Sequence, residues 1–100
     1  MPFQALQIEL SGPVATLWMN RPDLHNAFDE ILIAELTAAC IALDEDKDVR
    51  VVILAGRGKS FSAGADLNWM KRMAGYSDEQ NQADAMGLAT MLKTLHRVSK

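Results

Sequence analysis

The thirteen residues GKSFSAGADLNWM, Gly58 to Met70, begin like the end of a phosphate-binding loop and finish like the first turn of a helix. A phosphate loop needs a glycine, four residues and then Gly-Lys-Ser/Thr, because the backbone N–H groups of that long turn wrap the phosphates. Gly58-Lys59-Ser60 is in place, but the first glycine would fall at position 53, which is Ile53 inside an apolar run. The dinucleotide pattern fails too, since Gly56 and Gly58 would require a glycine where the chain has Phe61. What remains is Ser62-Ala63-Gly64-Ala65-Asp66, small residues leading into a helix. Small side chains let a ligand approach the backbone, and the first N–H groups of a helix lack partners within it and sit at its positive end. Two readings stay open at this point. The stretch is either a cradle for an oxygen that gains negative charge, or a tight strand-to-helix turn with Asp66 as its cap.

Outward from this loop the chain reads as alternating elements. Val49 to Ala55 is an apolar run with almost no alternation, the pattern of a strand buried on both faces in a parallel sheet. Upstream, Leu6, Ile8 and Leu10 alternate with polar residues, Ser11-Gly12-Pro13 supplies a turn, and Val14 to Met19 resumes the apolar pattern, which predicts a hairpin. Asn26, with Asp29 three residues later, predicts an N-cap for a helix whose inner face carries Phe28, Ile31, Leu32, Leu36, Ala39 and Leu43. Ile33 and Ile41 add a second apolar flank, so this helix is expected to be covered on more than one side. After the loop a short helix runs from about Asp66 to Ala74 and stops at Gly75. Ser77 with Gln80 then forms a capping-box pattern opening a helix to about Val98, with Leu88, Leu92 and Leu95 inward. The order strand, strand, helix, strand, loop, helix, helix argues an α/β domain without internal repeats.

Composition sets the functional classes aside. A chain of 100 residues with 49% apolar and 23% charged residues folds as one domain with a small core. The net charge of −3, with no basic stripe, argues against nucleic acid as a partner. No apolar run approaches the roughly 18 residues of a membrane span, and no basic segment leads into an apolar one at the start. The single cysteine, Cys40, lies in an apolar helical pattern and reads as a buried structural thiol, which suits a reducing, cytoplasmic setting.

Two stretches together carry a resemblance. NRPDLHNAF, Asn20 to Phe28, and GKSFSAGADL, Gly58 to Leu67, resemble in content and order the paired signatures of the crotonase, or enoyl-CoA hydratase/isomerase, family. The resemblance implies a spiral of ββα turns, incomplete in this chain, with residues 1–100 as the N-terminal portion of a single crotonase-like domain. It also implies assembly into homotrimers or homohexamers when full length, an acyl-CoA thioester as small-molecule substrate, and coenzyme A as part of that substrate and not as a cofactor. No metal or redox cofactor is implied. By position, Ala65 matches the residue whose backbone N–H is one of two oxyanion-hole donors to the thioester carbonyl. Ala63, Asp66 and Leu67 would line the CoA channel mainly through backbone, and Leu24 and His25 fall at the adenine and pantetheine portion.

The stretch GADLNWMKRMAGYSDEQNQADAMGLATML, Gly64 to Leu92, is especially similar to the methylglutaconyl-CoA hydratase-like branch. That likeness implies hydration of the 2,3 double bond of a branched enoyl-CoA, within leucine or fatty acid breakdown. Trp69 and Met70 are either core residues or acyl contacts, and His96 and Lys100 are expected at the surface. The family's two catalytic glutamates and its second oxyanion donor are expected beyond Lys100, leaving Glu30, Glu35, Glu45 and Glu79 as solvated residues. The alternatives are an isomerase or thioester hydrolase of the same family, or a truncated chain that at most binds CoA or associates with full-length subunits.

Overall fold

In the computed structural model, which describes residues 3–100, the hairpin is strand β1, Leu6–Ser11, running antiparallel to β2, Val14–Met19. Strand β3, Val51–Gly56, adds parallel to β2, giving the sheet order β1-β2-β3. A parallel neighbour needs a crossover, and helix α1, Glu30–Glu45, supplies it. Helices α2, Leu67–Ala74, and α3, Asp78–Arg97, follow β3.

Alternation along β2 places Ala15, Leu17 and Met19 beneath α1, each without exposed surface. Leu32, Leu36, Ala39 and Cys40 of α1 close over them, and Trp69 and Met91 join the same core from α2 and α3. The expectation that Cys40 is buried holds; burial, with nearby Asp44 adding to it, pushes its thiol up. α3 packs along α1, bringing Leu88, Leu95 and Val98 against that core.

Several expectations are corrected. β3 is not covered on both faces: Val52 and Leu54 pack inward, while Val51 and Ile53 remain nearly half exposed on the outer face of an edge strand. A continuous apolar run signals two buried faces only when a second layer covers the sheet. On that outer face, Arg57 lies 4.0 Å over the Trp18 ring, whose Nε1–H donates to Glu9. Along α1, Ile31 and Ile41 are exposed against expectation, whereas Ile33 is buried together with Leu32, Leu36, Ala39, Cys40 and Leu43, so the helix is covered on more than one side as expected, by the sheet and by α3. On α3, Met91 occupies the core position and Leu92, one residue and about 100° further round the helix, is exposed. Glu35 is not simply solvated, because its carboxylate accepts the N–H groups of Gln4 and Ala5 and ties the N-terminal segment to α1. His96 and Lys100 are exposed as expected, and the Lys100 ammonium reaches the carbonyls of Asp46 and Val49.

Candidate active site

The segments Asn20–Phe28 and Gly58–Leu67 meet edge to edge. The Ala63 N–H donates to the His25 carbonyl at 2.9 Å, and the Ser62 hydroxyl to the Asn26 carbonyl at 3.0 Å. The Phe28 N–H donates to the Gly64 carbonyl at 2.6 Å, and the Asp66 N–H to the Phe28 carbonyl at 2.7 Å. This last pair is a parallel bridge between Phe28 and Ala65. In such a bridge the central residue turns its own N–H away from the partner strand. The Gly64 N–H is taken by the Ser62 hydroxyl at 3.2 Å. From Ala63 to Asp66, among the described residues, only the Ala65 N–H is without an acceptor in the chain.

Asp66 then starts α2. Its Oδ1 accepts the Trp69 N–H at 2.9 Å, a regular N-cap bond. Its Oδ2 receives the Arg21 guanidinium at 3.0 Å. The Trp69 N–H, with Arg21 beside it, holds the Asp66 carboxyl below the usual carboxylate range, against burial that pushes the other way. The turn reading and the cradle reading therefore coexist: Asp66 is the cap, and the residue before it presents a free donor. Gly64 has φ +90 and a clear space around its missing Cβ, so backbone conformation, not crowding, calls for glycine there.

Leu24, His25, Ala63, Ala65, Asp66 and Leu67, the six residues assigned from the resemblance, all line one cleft of about 520 Å3. Asp23, Ala27, Asn68 and Lys71 complete its wall and carry no expectation from the sequence. Leu24 and Leu67 offer exposed apolar surface to it, and Ala65 is exposed while Asp66 is buried. The His25 ring accepts or donates a hydrogen bond with the Ser60 hydroxyl at 3.1 Å. A second groove, of about 530 Å3, lies between α1 and α3 and is walled mainly by side chains such as Ile33, Ala34, Ala38 and Trp69. Trp69 thus belongs to the core and to that groove, while Met70 lines neither cavity.

The roles of three residues that hold the site, Asn26, Gly56 and Arg21, were not read from the sequence. Asn26 was expected to cap α1, but the cap is Asp29, whose Oδ1 accepts the Leu32 N–H at 2.9 Å. Asn26 is fully buried with φ 55. Its Oδ1 accepts the Arg21 N–H, and its Nδ2 donates to the Arg57 and Ser60 carbonyls, each at 2.8 Å. Gly56 permits this approach, since a Cβ there would sit 2.7 Å from Asn26 Nδ2 and 2.6 Å from the Phe61 carbonyl oxygen. Arg21 donates to the Ala27 carbonyl and pairs with Asp29 at 3.3 Å and Asp66 at 3.0 Å. The available signal was two aspartates, each at a helix start, with one arginine between two turn segments.

Among the described residues no three His, Cys, Asp or Glu side chains converge as a metal site, and no helix is long and apolar enough to cross a membrane.

Comparison with known proteins places these features in company. The enoyl-CoA hydratase/isomerase family profile matches residues 9–98. A Rhizobium meliloti protein named "Probable enoyl-CoA hydratase" is 41% identical over 71 residues, 71% of this chain and 28% of that protein. The trans-2-decenoyl-[acyl-carrier-protein] isomerase of Streptococcus mutans is 32% identical over 81 residues, 81% of this chain and 31% of that protein. The crystal structure of an enoyl-CoA hydratase from Shewanella pealeana superposes with a TM-score of 0.94 at 40% identity, covering 98% of this chain and 37% of that one. The chain spans about a third of the length of such relatives.

Proposed function

The chain belongs to the enoyl-CoA hydratase/isomerase, or crotonase, family, and from that premise we propose that it forms the thioester-binding part of an enoyl-CoA hydratase. The reaction is addition of water across the 2,3 double bond of an acyl-CoA. Attack at the β-carbon pushes an electron pair toward the thioester carbonyl, whose oxygen gains negative charge before the α-carbon takes a proton. A fixed donor aimed at that oxygen lowers the barrier, and one such donor is worth about 3 kcal/mol.

One observation carries the proposal. The Ala65 N–H, on the wall of the cleft and next to the N-terminus of α2, has no acceptor among the described residues. It is assigned here as an oxyanion donor. Leu24, His25, Ala63, Asp66 and Leu67 are assigned to the CoA portion, the first two by side chain and the last three mainly through backbone. This chemistry calls on no metal or redox cofactor, because the enolate is held by backbone hydrogen bonds. None of the glutamates lines the cleft; Glu30 pairs with Arg72 at 2.8 Å and Glu35 is spent on Gln4 and Ala5. The acid and base are therefore proposed to come from residues outside this chain. The acyl group is proposed to be branched, methylglutaconyl-CoA being the favoured example, on the likeness of Gly64 to Leu92 to that branch.

Substituting Ala65→Trp tests the assignment. The bulk closes the cleft beside the donor, and calorimetric titration with butyryl-CoA is expected to lose measurable binding. Unchanged affinity would remove Ala65 from the site. A second reading, migration of the double bond, uses the same donor and is supported by the isomerase name of the Streptococcus mutans relative. Assay of the full-length enzyme on branched 2-enoyl-CoA separates the two, since hydration removes the conjugated enoyl absorbance and yields a 3-hydroxyacyl product whereas isomerisation yields none.

A further inference from the structure

We infer that Arg21 is a positioning residue whose guanidinium sets the aim of the Ala65 N–H, an inference that rests on the acyl-CoA reading above. The Gly64 carbonyl and the Ala65 N–H are the two ends of one planar peptide unit. Holding one end fixes the direction of the other. The Phe28 N–H holds the carbonyl end at 2.6 Å, so the donor end points away from Phe28 into the cleft. A hydrogen bond accepted by a peptide carbonyl also polarises the unit and strengthens its N–H as a donor.

The orientation of the Ala65 donor is thus set by where Phe28 stands, and Arg21 grips both sides of that contact. One guanidinium nitrogen donates to the carbonyl of Ala27, the residue before Phe28. The other reaches Asp29, the residue after Phe28, at 3.3 Å and Asp66, the residue after Ala65, at 3.0 Å. Each carboxylate spends its second oxygen on the first turn of its own helix, α1 through Leu32 and α2 through Trp69. Splaying the Gly64–Asp66 segment from Ala27–Asp29 would break these bonds together. Only a planar fork with several fixed donors fills this role; an ammonium offers one centre and a different reach.

Charge adds to geometry. Asp29 and Asp66 are buried or nearly so, and the Arg21 side chain is only 15% exposed, so solvent screens the group poorly. With the guanidinium the group carries one net negative charge. Without it two carboxylates would stand beside a donor meant to receive a developing anion.

The test compares two ligands on the wild-type chain and on Arg21→Lys and Arg21→Gln. Acetoacetyl-CoA forms an enolate whose thioester oxygen bears charge, whereas S-butyl-CoA keeps the CoA part and lacks the thioester carbonyl. Calorimetric affinities are expected to favour acetoacetyl-CoA in the wild type. Both variants should bind S-butyl-CoA within about twofold of wild type, which also certifies their folding, yet lose about tenfold for acetoacetyl-CoA, as expected for a misaimed donor. Asp29→Asn, which loosens the fork without emptying it, is the milder third variant, expected to lose about threefold on acetoacetyl-CoA alone. Variants that keep the wild-type preference, or that weaken both ligands equally, overturn the role of Arg21 and leave the acyl-CoA reading standing. A wild-type chain that binds neither ligand overturns that reading and this inference with it. One that binds both equally overturns the donor's aim alone.

Discussion

Asn26 joins three segments of the site through one fully buried side chain. It adopts a left-handed backbone, which asparagine tolerates better than most residues, and it uses its amide at both ends: Oδ1 for the Arg21 N–H, Nδ2 for the carbonyls of Arg57 and Ser60. Removing a partner that leaves buried groups unsatisfied costs about 1–3 kcal/mol for each such group. Asn26→Ala is therefore expected to lower stability by about 3 kcal/mol, read from the midpoint of urea unfolding. Asn26→Asp should cost more, because it sets a carboxylate against two carbonyl oxygens; a smaller loss than Asn26→Ala would contradict this account of the contacts. The residue type was visible in the sequence, but its use was not. Asparagine caps helices and also crosslinks turns, and the partners here lie 31 and 34 residues away.

At the scale of elements, the helix starts show how local and distant interactions divide the work. The capping box of α3 was legible because Ser77 and Gln80 satisfy each other within four residues. The start of α1 was misplaced by three residues because Asn26 and Asp29 are both good caps, and only the competing demand for Asn26 in the turn selects Asp29. For α2 the cap has a pH signature. Asp66 titrates below its ordinary value in the folded chain, through the Trp69 N–H first and then Arg21. A depressed carboxyl contributes stability that is fully present above its unfolded value, near pH 4, and is lost as pH falls through the lower folded value. Asp66→Asn keeps the cap but not the charge. The variant is expected to be less stable than wild type near pH 6, with the gap closing below about pH 4. A gap in urea midpoints that stays constant into acid would assign the cost to packing instead.

At the scale of the whole molecule, the core lies on one face of the sheet, and apolar surface is left exposed on the other face and on α3. Val51 and Ile53 on the outer face of β3, together with Met86 and Leu92 on α3, stand in solvent. Apolar patches of this kind mark surfaces that bind something or drive association. The isolated chain is expected to bind a hydrophobic dye and to self-associate, and the double variant Val51→Thr, Ile53→Thr to reduce dye fluorescence while leaving the melting temperature within a few degrees. A monodisperse chain with no dye response would show that this surface is not a functional patch, and would weigh against the reading of the chain as an incomplete subunit-association partner.

The sequence by itself determined the order of the elements, the hairpin and two of the three helix starts. Each follows from periodicity or capping within a few residues, where chain connectivity leaves little choice. The likeness of two short motifs also marked out the six residues that share the cleft. Tertiary structure decided what those residues do to one another. Arg21 and Asp66 are 45 residues apart, and no periodicity links them. Among the described residues the Ala65 N–H finds no acceptor, because Phe28 pairs with the Gly64 carbonyl and the Asp66 N–H on either side of it and leaves the Ala65 N–H facing away, and the open face of β3 exists because no described element covers it. Such outcomes depend on which groups remain unpaired after distant segments meet, a quantity that no local pattern encodes.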